Sequence, residues 1–181
     1  MKKRLSVTLL SVAAVSLLHA GALSPIKSET SDQEVFGNGG MRWFGQTDAR
    51  IGNSLETDDG NVLILVFALP TLSQGESISK ASLSAFISGI NGPYNFDPSW
   101  SLDLYGLRTS NSNIVLATDF FMGANDSHHT KVQDYFSLMA AGLADTTISS
   151  SASGETALGS WLATQYTDEN PNAAYAFLRL N

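Results

Sequence analysis

The chain has 181 residues, of which 43% are hydrophobic and only 15% are charged. Its 17 acidic and 10 basic residues give a formal net charge of −7, which excludes a nucleic-acid-binding protein that works through a broad basic surface. Cysteine is absent, so disulfide frameworks, thiolate zinc sites and cysteine nucleophiles are excluded as well.

Residues 1–22 have the pattern of a secretory signal peptide. Lys2, Lys3 and Arg4 precede a mostly apolar run over Leu5–Leu18, and the small residues Ala20–Ala22 provide a cleavage site. Cleavage after Ala20 is one alternative. An uncleaved membrane anchor is another, although the run is shorter than the roughly 20 residues of a spanning helix. We therefore expect a protein that is secreted or held at the cell surface, without membrane contact after cleavage.

The segment after the signal peptide, residues 23–40, has no sustained periodicity and ends in the glycine-rich stretch Gly37–Gly40. This composition predicts a flexible lead-in. No break in composition follows, so we expect a single domain over residues 41–181. A domain of about 150 residues can bury enough apolar surface to fold without disulfides.

Strand patterns dominate this domain. Val62–Leu69 is a continuous apolar run closed by Pro70, which is typical of a central strand buried on both faces. Residues 80–88, 100–105 and 175–180 alternate apolar and polar side chains with a period of two, as in strands with one face in the core. Ile114–Ala117 is a further short apolar run.

Two segments have helical spacing instead. Apolar residues recur at i, i+3, i+4 and i+7 over Val132–Met139, and Leu158–Gln165 repeats that spacing, with Ser153 as the expected N-cap and Glu155 in the first turn. These segments predict one or two short helices in an all-β protein. Many short strands without βαβ alternation predict an antiparallel β-sandwich, with a jelly-roll topology as the favoured version.

The order of these features resembles a known domain family. Asp48–Asn53 precedes the apolar strand that ends in Phe67-Ala68-Leu69-Pro70, and a Gly-x-x-Ile-x-x-Ala-x-Leu pattern follows from Gly75 to Leu83. Later features keep the same order: Leu102–Tyr105, Leu158-x-x-Trp161-Leu162 and Phe177–Leu180. From about Asp48 to Asn181 the chain resembles the DNRLRE-type domains, which are carbohydrate-binding-module-like β-sandwiches of exported bacterial proteins. The resemblance implies an exported protein of a Gram-negative bacterium and a sandwich that binds carbohydrate.

The loop over residues 91–100 concentrates three aromatic side chains and a carboxylate. Tyr94, Phe96 and Trp100 offer flat rings for the C–H faces of a sugar, and Asp97 can accept hydrogen bonds from sugar hydroxyls. We predict that these four residues bind carbohydrate. The alternative is that they anchor a long loop, with Trp100 starting the buried face of its strand. Trp43 and Phe44 form a second aromatic pair, for which we expect packing in the core.

No cofactor is expected, with calcium as the one candidate. Asp58, Asp59 and Asn61 provide the oxygen ligands that calcium prefers, but an Asp-Gly pair between two strands is first of all a hairpin turn. His128 and His129 follow Asp119 in the chain. Adjacent histidines point in different directions on a strand or a helix, so a solvated loop that starts a helix is favoured over a transition-metal site.

Motifs of the common enzyme classes are absent from the sequence. It contains no Gly-x-Ser-x-Gly elbow, no phosphate-binding loop and no dinucleotide-binding fingerprint. We therefore expect a secreted, non-catalytic protein that binds a polysaccharide or cell-surface glycan through exposed aromatic residues. The competing hypothesis is a structural or adhesive surface protein without a small-ligand site, and a small hydrolase is the third. The oligomeric state is left open.

Overall fold

The computed structural model of the chain describes residues 5–15, 20–43, 49, 51–53, 60–90, 101–120, 130–138 and 145–181. Most of these residues lie in β-strands, accompanied by one α-helix and a short 3₁₀ turn. Among the described residues, no helix is both long enough and apolar enough to span a bilayer. In chain order the elements are β1 Leu5–Val15, β2 Ala20–Leu23, β3 Asp32–Phe36, β4 Met41–Trp43, β5 Gly52–Asn53, β6 Gly60–Ala68, β7 Lys80–Ile90, β8 Ser101–Ser110, the 3₁₀ turn Ala117–Asp119, β9 Thr130–Leu138, β10 Thr146–Ser149, α1 Ala152–Ala163, β11 Tyr166–Thr167, β12 Asn170–Pro171 and β13 Tyr175–Leu180.

Two sheets and one small hairpin organise these strands. The larger sheet has the strand order β4-β3-β6-β13-β8-β9, and β5 also pairs with β6. The smaller sheet has the order β10-β7-β1-β2, and β11 pairs with β12. Every described pairing is antiparallel. The predicted all-β class is therefore confirmed.

Side chains from both sheets meet in one hydrophobic core. In β7, every second residue from Ala81 to Ile87 is buried, as the alternating pattern predicts, because successive side chains of a strand point to opposite faces. The helix α1 adds the buried side chains Leu158 and Leu162 to the same core. The contributors from the strands include Leu63, Leu65, Phe67, Leu83, Leu104, Ile148 and Leu178.

The predicted central strand is confirmed. In β6, all six residues from Val62 to Phe67 are buried, whichever face they lie on. Alternate residues enter the shared core, whereas Val62, Ile64 and Val66 enter a second cluster on the opposite side of the larger sheet, which we call the outer face. The strand lies between β3 and β13, so its backbone is hydrogen-bonded on both sides.

Two non-strand segments cover part of the outer face. Residues 24–31 are held by the Ile26 amide, which donates to the Val66 carbonyl at 2.8 Å. Residues 112–120 contribute the buried Val115, whose amide donates to the Thr30 carbonyl at 2.8 Å. The Ser31 hydroxyl also donates to the Asn113 carbonyl at 2.7 Å. These hydrogen bonds join the two covering segments to each other and to the sheet.

The predicted helix near the C-terminus is confirmed as α1, with a different N-cap. The Ser151 hydroxyl, rather than that of Ser153, accepts a hydrogen bond from the Gly154 amide at 3.1 Å. Glu155 lies in the first turn, as predicted. The helix approaches β7 closely at Gly159, where a Cβ atom would lie 2.6 Å from the Lys80 Cα. Glycine is therefore required at this contact.

The helix predicted over Val132–Met139 is wrong for the part that the structure describes. Residues 130–138 form β9, which pairs with β8 at the edge of the larger sheet. The segment is rich in β-branched and aromatic residues, and pairing with an open strand edge outweighs the helical spacing of its apolar side chains. Ile114–Ala117 is not a strand either: Ile114–Leu116 is irregular backbone, and Ala117 begins the 3₁₀ turn.

The segment expected to be a flexible lead-in contains a strand of the larger sheet. Within residues 23–40, β3 pairs with β6 from Asp32↔Leu65 to Phe36↔Asn61, so this sheet begins before residue 41. The strand escapes pattern recognition because Gln33 and Glu34 are polar and yet buried. Each has a local partner: the Gln33 amide donates to the Glu29 carbonyl, and Glu34 forms an ion pair with Arg42 at 2.7 Å.

Candidate functional site

The predicted carbohydrate-binding residues Tyr94, Phe96, Asp97 and Trp100 lie outside the described residues, in the 91–100 segment. That segment connects the end of β7 in the smaller sheet with the start of β8 in the larger sheet. Its predicted role in binding therefore stays a prediction.

The core packing expected for Trp43 is wrong, while Phe44 lies outside the described residues. Trp43 is 46% exposed at the end of β4, the edge strand of the larger sheet. Its register partner is Gln33 of β3, which is itself paired with Ile64 of β6. Since paired residues point to the same face, Trp43 belongs to the outer face.

A tight turn places Trp43 at this edge. The Phe36 amide donates to the Gly40 carbonyl at 2.8 Å, and Gly39 has a φ of +84°, which glycine adopts without a Cβ penalty. The turn reverses the chain, so β4 pairs back onto β3 from Val35↔Met41 to Gln33↔Trp43. Alternation then puts Met41 and Trp43 on the outer face.

Trp43 forms one wall of a groove on the outer face. The groove has a volume of about 420 Å³, within the range of pockets that hold small ligands. Met41 and Ile114, which are 48% and 47% exposed, extend its apolar surface. The described residues that line the groove are Glu29, Thr30, Gln33, Met41, Trp43, Ile114 and Val115.

The groove wall formed by Ile114 is fixed by an ion pair in which the carboxylate is buried. Both carboxylate oxygens of Asp119 accept hydrogen bonds from the Arg108 guanidinium, at 2.8 Å each. Asp119 also accepts from the Leu116 amide at 2.9 Å, and Arg108 donates to the Ile114 carbonyl at 3.1 Å. The Arg108 guanidinium in turn lies 3.8 Å from the centre of the Phe177 ring. Ile114 is therefore presented from a well-anchored segment.

The groove combines an aromatic ring with side chains that form hydrogen bonds. The indole of Trp43 can stack on an apolar face of a ligand, and its N–H can donate. Thr30 and Glu29 are exposed lining residues, so the hydroxyl of one and the carboxylate of the other can bond to ligand hydroxyls. Gln33 also lines the groove, but it is buried and its amide already donates to the Glu29 carbonyl. This set of groups is suited to a ring that is apolar on its faces and hydroxylated at its rim.

The residues considered as metal ligands are not brought together in the described part of the chain. Asp119 is buried against Arg108 rather than exposed to an ion, and His128 and His129 lie outside the described residues. Asp58 and Asp59 also lie outside them, which leaves calcium binding as a prediction. Within the described ranges, no three histidine or acidic side chains lie close enough to hold a metal ion.

Trp43 is the residue of the groove for which the sequence held a usable signal. The alternation Met41-Arg42-Trp43 directly follows Asn38-Gly39-Gly40, a combination typical of a hairpin. Ile114 had no comparable signal, because its exposure depends on how residues 112–120 lie across the sheet. Comparison of the chain with protein-family models, with curated proteins and with solved structures found no match.

Proposed function

We propose that this chain is an exported, non-catalytic protein that binds a polysaccharide or cell-surface glycan in the groove beside Trp43. The observation that carries the proposal is that the half-exposed Trp43 lines the same groove as the exposed Thr30 and Glu29, which offer a hydroxyl and a carboxylate. Sugar recognition needs both elements, because a pyranose ring has apolar C–H faces and a rim of hydroxyls.

The finer description of the fold is also a proposal. We propose that the two sheets form a β-sandwich with jelly-roll connectivity, as in the DNRLRE-type domains that the sequence resembles. Support comes from the shared core, to which both sheets contribute buried side chains. In such a sandwich, the outer face of the larger sheet is a surface that a long glycan can reach.

Export remains part of the proposal because of the basic and apolar pattern of residues 1–22. Cleavage after Ala22 would remove β1 and most of β2, which belong to the smaller sheet. The groove would keep all its described lining residues, since the first of them is Glu29. Binding is therefore expected of the processed protein.

One observation favours the alternative, a structural or adhesive surface protein. Leu116 is 48% exposed and does not line the groove, so the chain has an exposed large apolar side chain that the groove does not use. A protein partner could use the whole apolar surface, including Leu116. A glycan that stacks on Trp43 does not need Leu116.

Retention on insoluble polysaccharides tests the proposal and separates these two functions. The purified protein, Trp43→Ala and Leu116→Ala are mixed with cellulose, chitin, xylan and mannan, and circular dichroism checks the fold of each variant. We expect Trp43→Ala to weaken retention by about tenfold or more, because a central aromatic contact is lost. Leu116→Ala should be retained as strongly as the wild type. Equal retention of the wild type and Trp43→Ala, or no retention of the wild type, would refute glycan binding in this groove.

The predicted loop site is tested in the same assay with Trp100→Ala. If Trp100→Ala loses retention while Trp43→Ala keeps it, the glycan binds at the 91–100 loop and not in the groove. If Trp43→Ala alone loses retention, the groove is the binding site.

A further inference from the structure

The charges around the groove point to a narrower class of ligand. This inference rests on the proposed function, since it assumes that a glycan occupies the groove. We infer that the groove accepts uncharged glycans and discriminates against acidic ones, such as those built from uronic acids.

The charge of the groove itself disfavours an acidic ligand. Of the described residues that line it, Glu29 is the only charged one, and its side chain is exposed at the rim. A sugar carboxylate in the groove would lie close to this carboxylate without the arginine or lysine that usually binds such groups. The whole chain, with its net charge of −7, adds to the repulsion.

The arginines on the described elements that form the groove are bound to carboxylates. Arg42 lies between Met41 and Trp43 in the chain, but alternation directs its side chain away from the outer face. On that other side of β4 it forms an ion pair with Glu34 at 2.7 Å. Arg108, behind Ile114, makes two hydrogen bonds to Asp119. Recruiting either arginine to an acidic sugar would break an ion pair in which the carboxylate is buried.

Lysine does not change this balance among the described residues. Lys27 lies on the same covering segment as Glu29, and it is exposed and does not line the groove. Among the described residues that line the groove, the charge that a bound sugar meets is therefore that of Glu29.

Two pairs of polysaccharide supports, in which the members of a pair share a sugar backbone and differ in charge, test the inference. Cellulose is compared with C6-oxidised cellulose, and xylan without side groups with glucuronoxylan, using the wild type, Glu29→Gln, Trp43→Ala and Leu116→Ala. The readout is the ratio of retention on the neutral and acidic member of each pair at low salt. We expect the wild type to prefer the neutral member by about fivefold to tenfold, the effect of one like-charge contact near a surface. Leu116→Ala should give the same ratio as the wild type.

The expected signature is a smaller ratio in Glu29→Gln and a smaller ratio in the wild type at high salt. Equal or stronger retention on the acidic member, still lost in Trp43→Ala, would overturn this inference and leave the proposed glycan site standing. A ratio that Glu29→Gln does not change would overturn it as well. Retention that does not depend on Trp43 would instead refute the proposed function.

Discussion

The contact between α1 and β7 allows a quantitative test of the fold, through the substitution Gly159→Ala. A Cβ atom on Gly159 would lie 2.6 Å from the Lys80 Cα and 2.8 Å from both the Lys80 amide nitrogen and the Ser79 carbonyl oxygen. All three neighbours are backbone atoms, so they can retreat only if the helix and the strand move apart. Overpacking of this kind typically costs about 1–3 kcal/mol.

The same substitution has an opposing effect on the helix. Alanine is a better helix former than glycine by about 1 kcal/mol, so Gly159→Ala would stabilise α1 if the contact were absent. We expect the steric cost to exceed this gain and to leave a net loss of up to about 2 kcal/mol in the free energy of unfolding. For a domain of this size, a loss of about 2 kcal/mol lowers the Tm by roughly 4–8 °C.

Thermal unfolding followed by circular dichroism measures the difference, with Ser160→Ala as the matched control. Ser160 is the next residue of the same helix and is exposed, so its replacement by alanine tests propensity without the contact. We expect Ser160→Ala to keep or raise the Tm. A Tm that rises in both variants would refute the close packing of α1 on the backbone of β7.

Two further predictions concern other contacts of the same core. Gly106→Ala would place a Cβ 2.5 Å from Trp161 Cδ2, so we expect a lower Tm and altered tryptophan fluorescence. The loss of Tm should be smaller when Gly106→Ala is made in a Trp161→Ala background, and an equal loss there would contradict the contact. Burial raises the pKa of Tyr166 to about 12, above the value of about 10 in the unfolded chain. Ionisation therefore favours unfolding as the pH rises from about 10 to 12, and a pH series of Tm values should show a steeper fall for the wild type than for Tyr166→Phe. Parallel curves would contradict this role of Tyr166.

The strands with strong apolar patterns could be predicted from the sequence, and the reason is burial. Val62–Phe67 is apolar throughout because it lies between two layers, and the alternation over residues 81–87 follows from one face in the core. The helix α1 could be predicted from its spacing and from the serines that precede it. In each case, the local pattern and the tertiary environment agree.

The strands that could not be predicted are those for which local pattern and environment disagree. In β3, the buried Gln33 and Glu34 depend on partners at Glu29 and Arg42, and a polar segment gives no sign of such pairing. In β9, the apolar side chains have helical spacing, but the open edge of β8 supplies backbone partners that a sequence does not reveal.

The groove beside Trp43 was not predicted from the sequence, whereas the predicted binding residues of the 91–100 loop lie outside the described residues and stay a prediction. An exposed aromatic ring beside polar side chains was expected, and Trp43 provides one, but the expectation named the 91–100 loop. The exposure of Trp43 follows from its position on the edge strand β4. The groove wall at Ile114 depends on the ion pair between Arg108 and Asp119, which joins positions eleven residues apart.

Hydroxyl-radical footprinting with mass spectrometry tests the proposed binding site most directly. Trp43 and Met41 are both reactive toward radicals and are about half exposed in the free protein. With a saturating soluble oligosaccharide taken from the polysaccharide that retains the protein, we predict that oxidation of Trp43 and Met41 falls while that of the exposed Leu116 stays constant. Unchanged oxidation of Trp43 in the saturated complex would contradict the account.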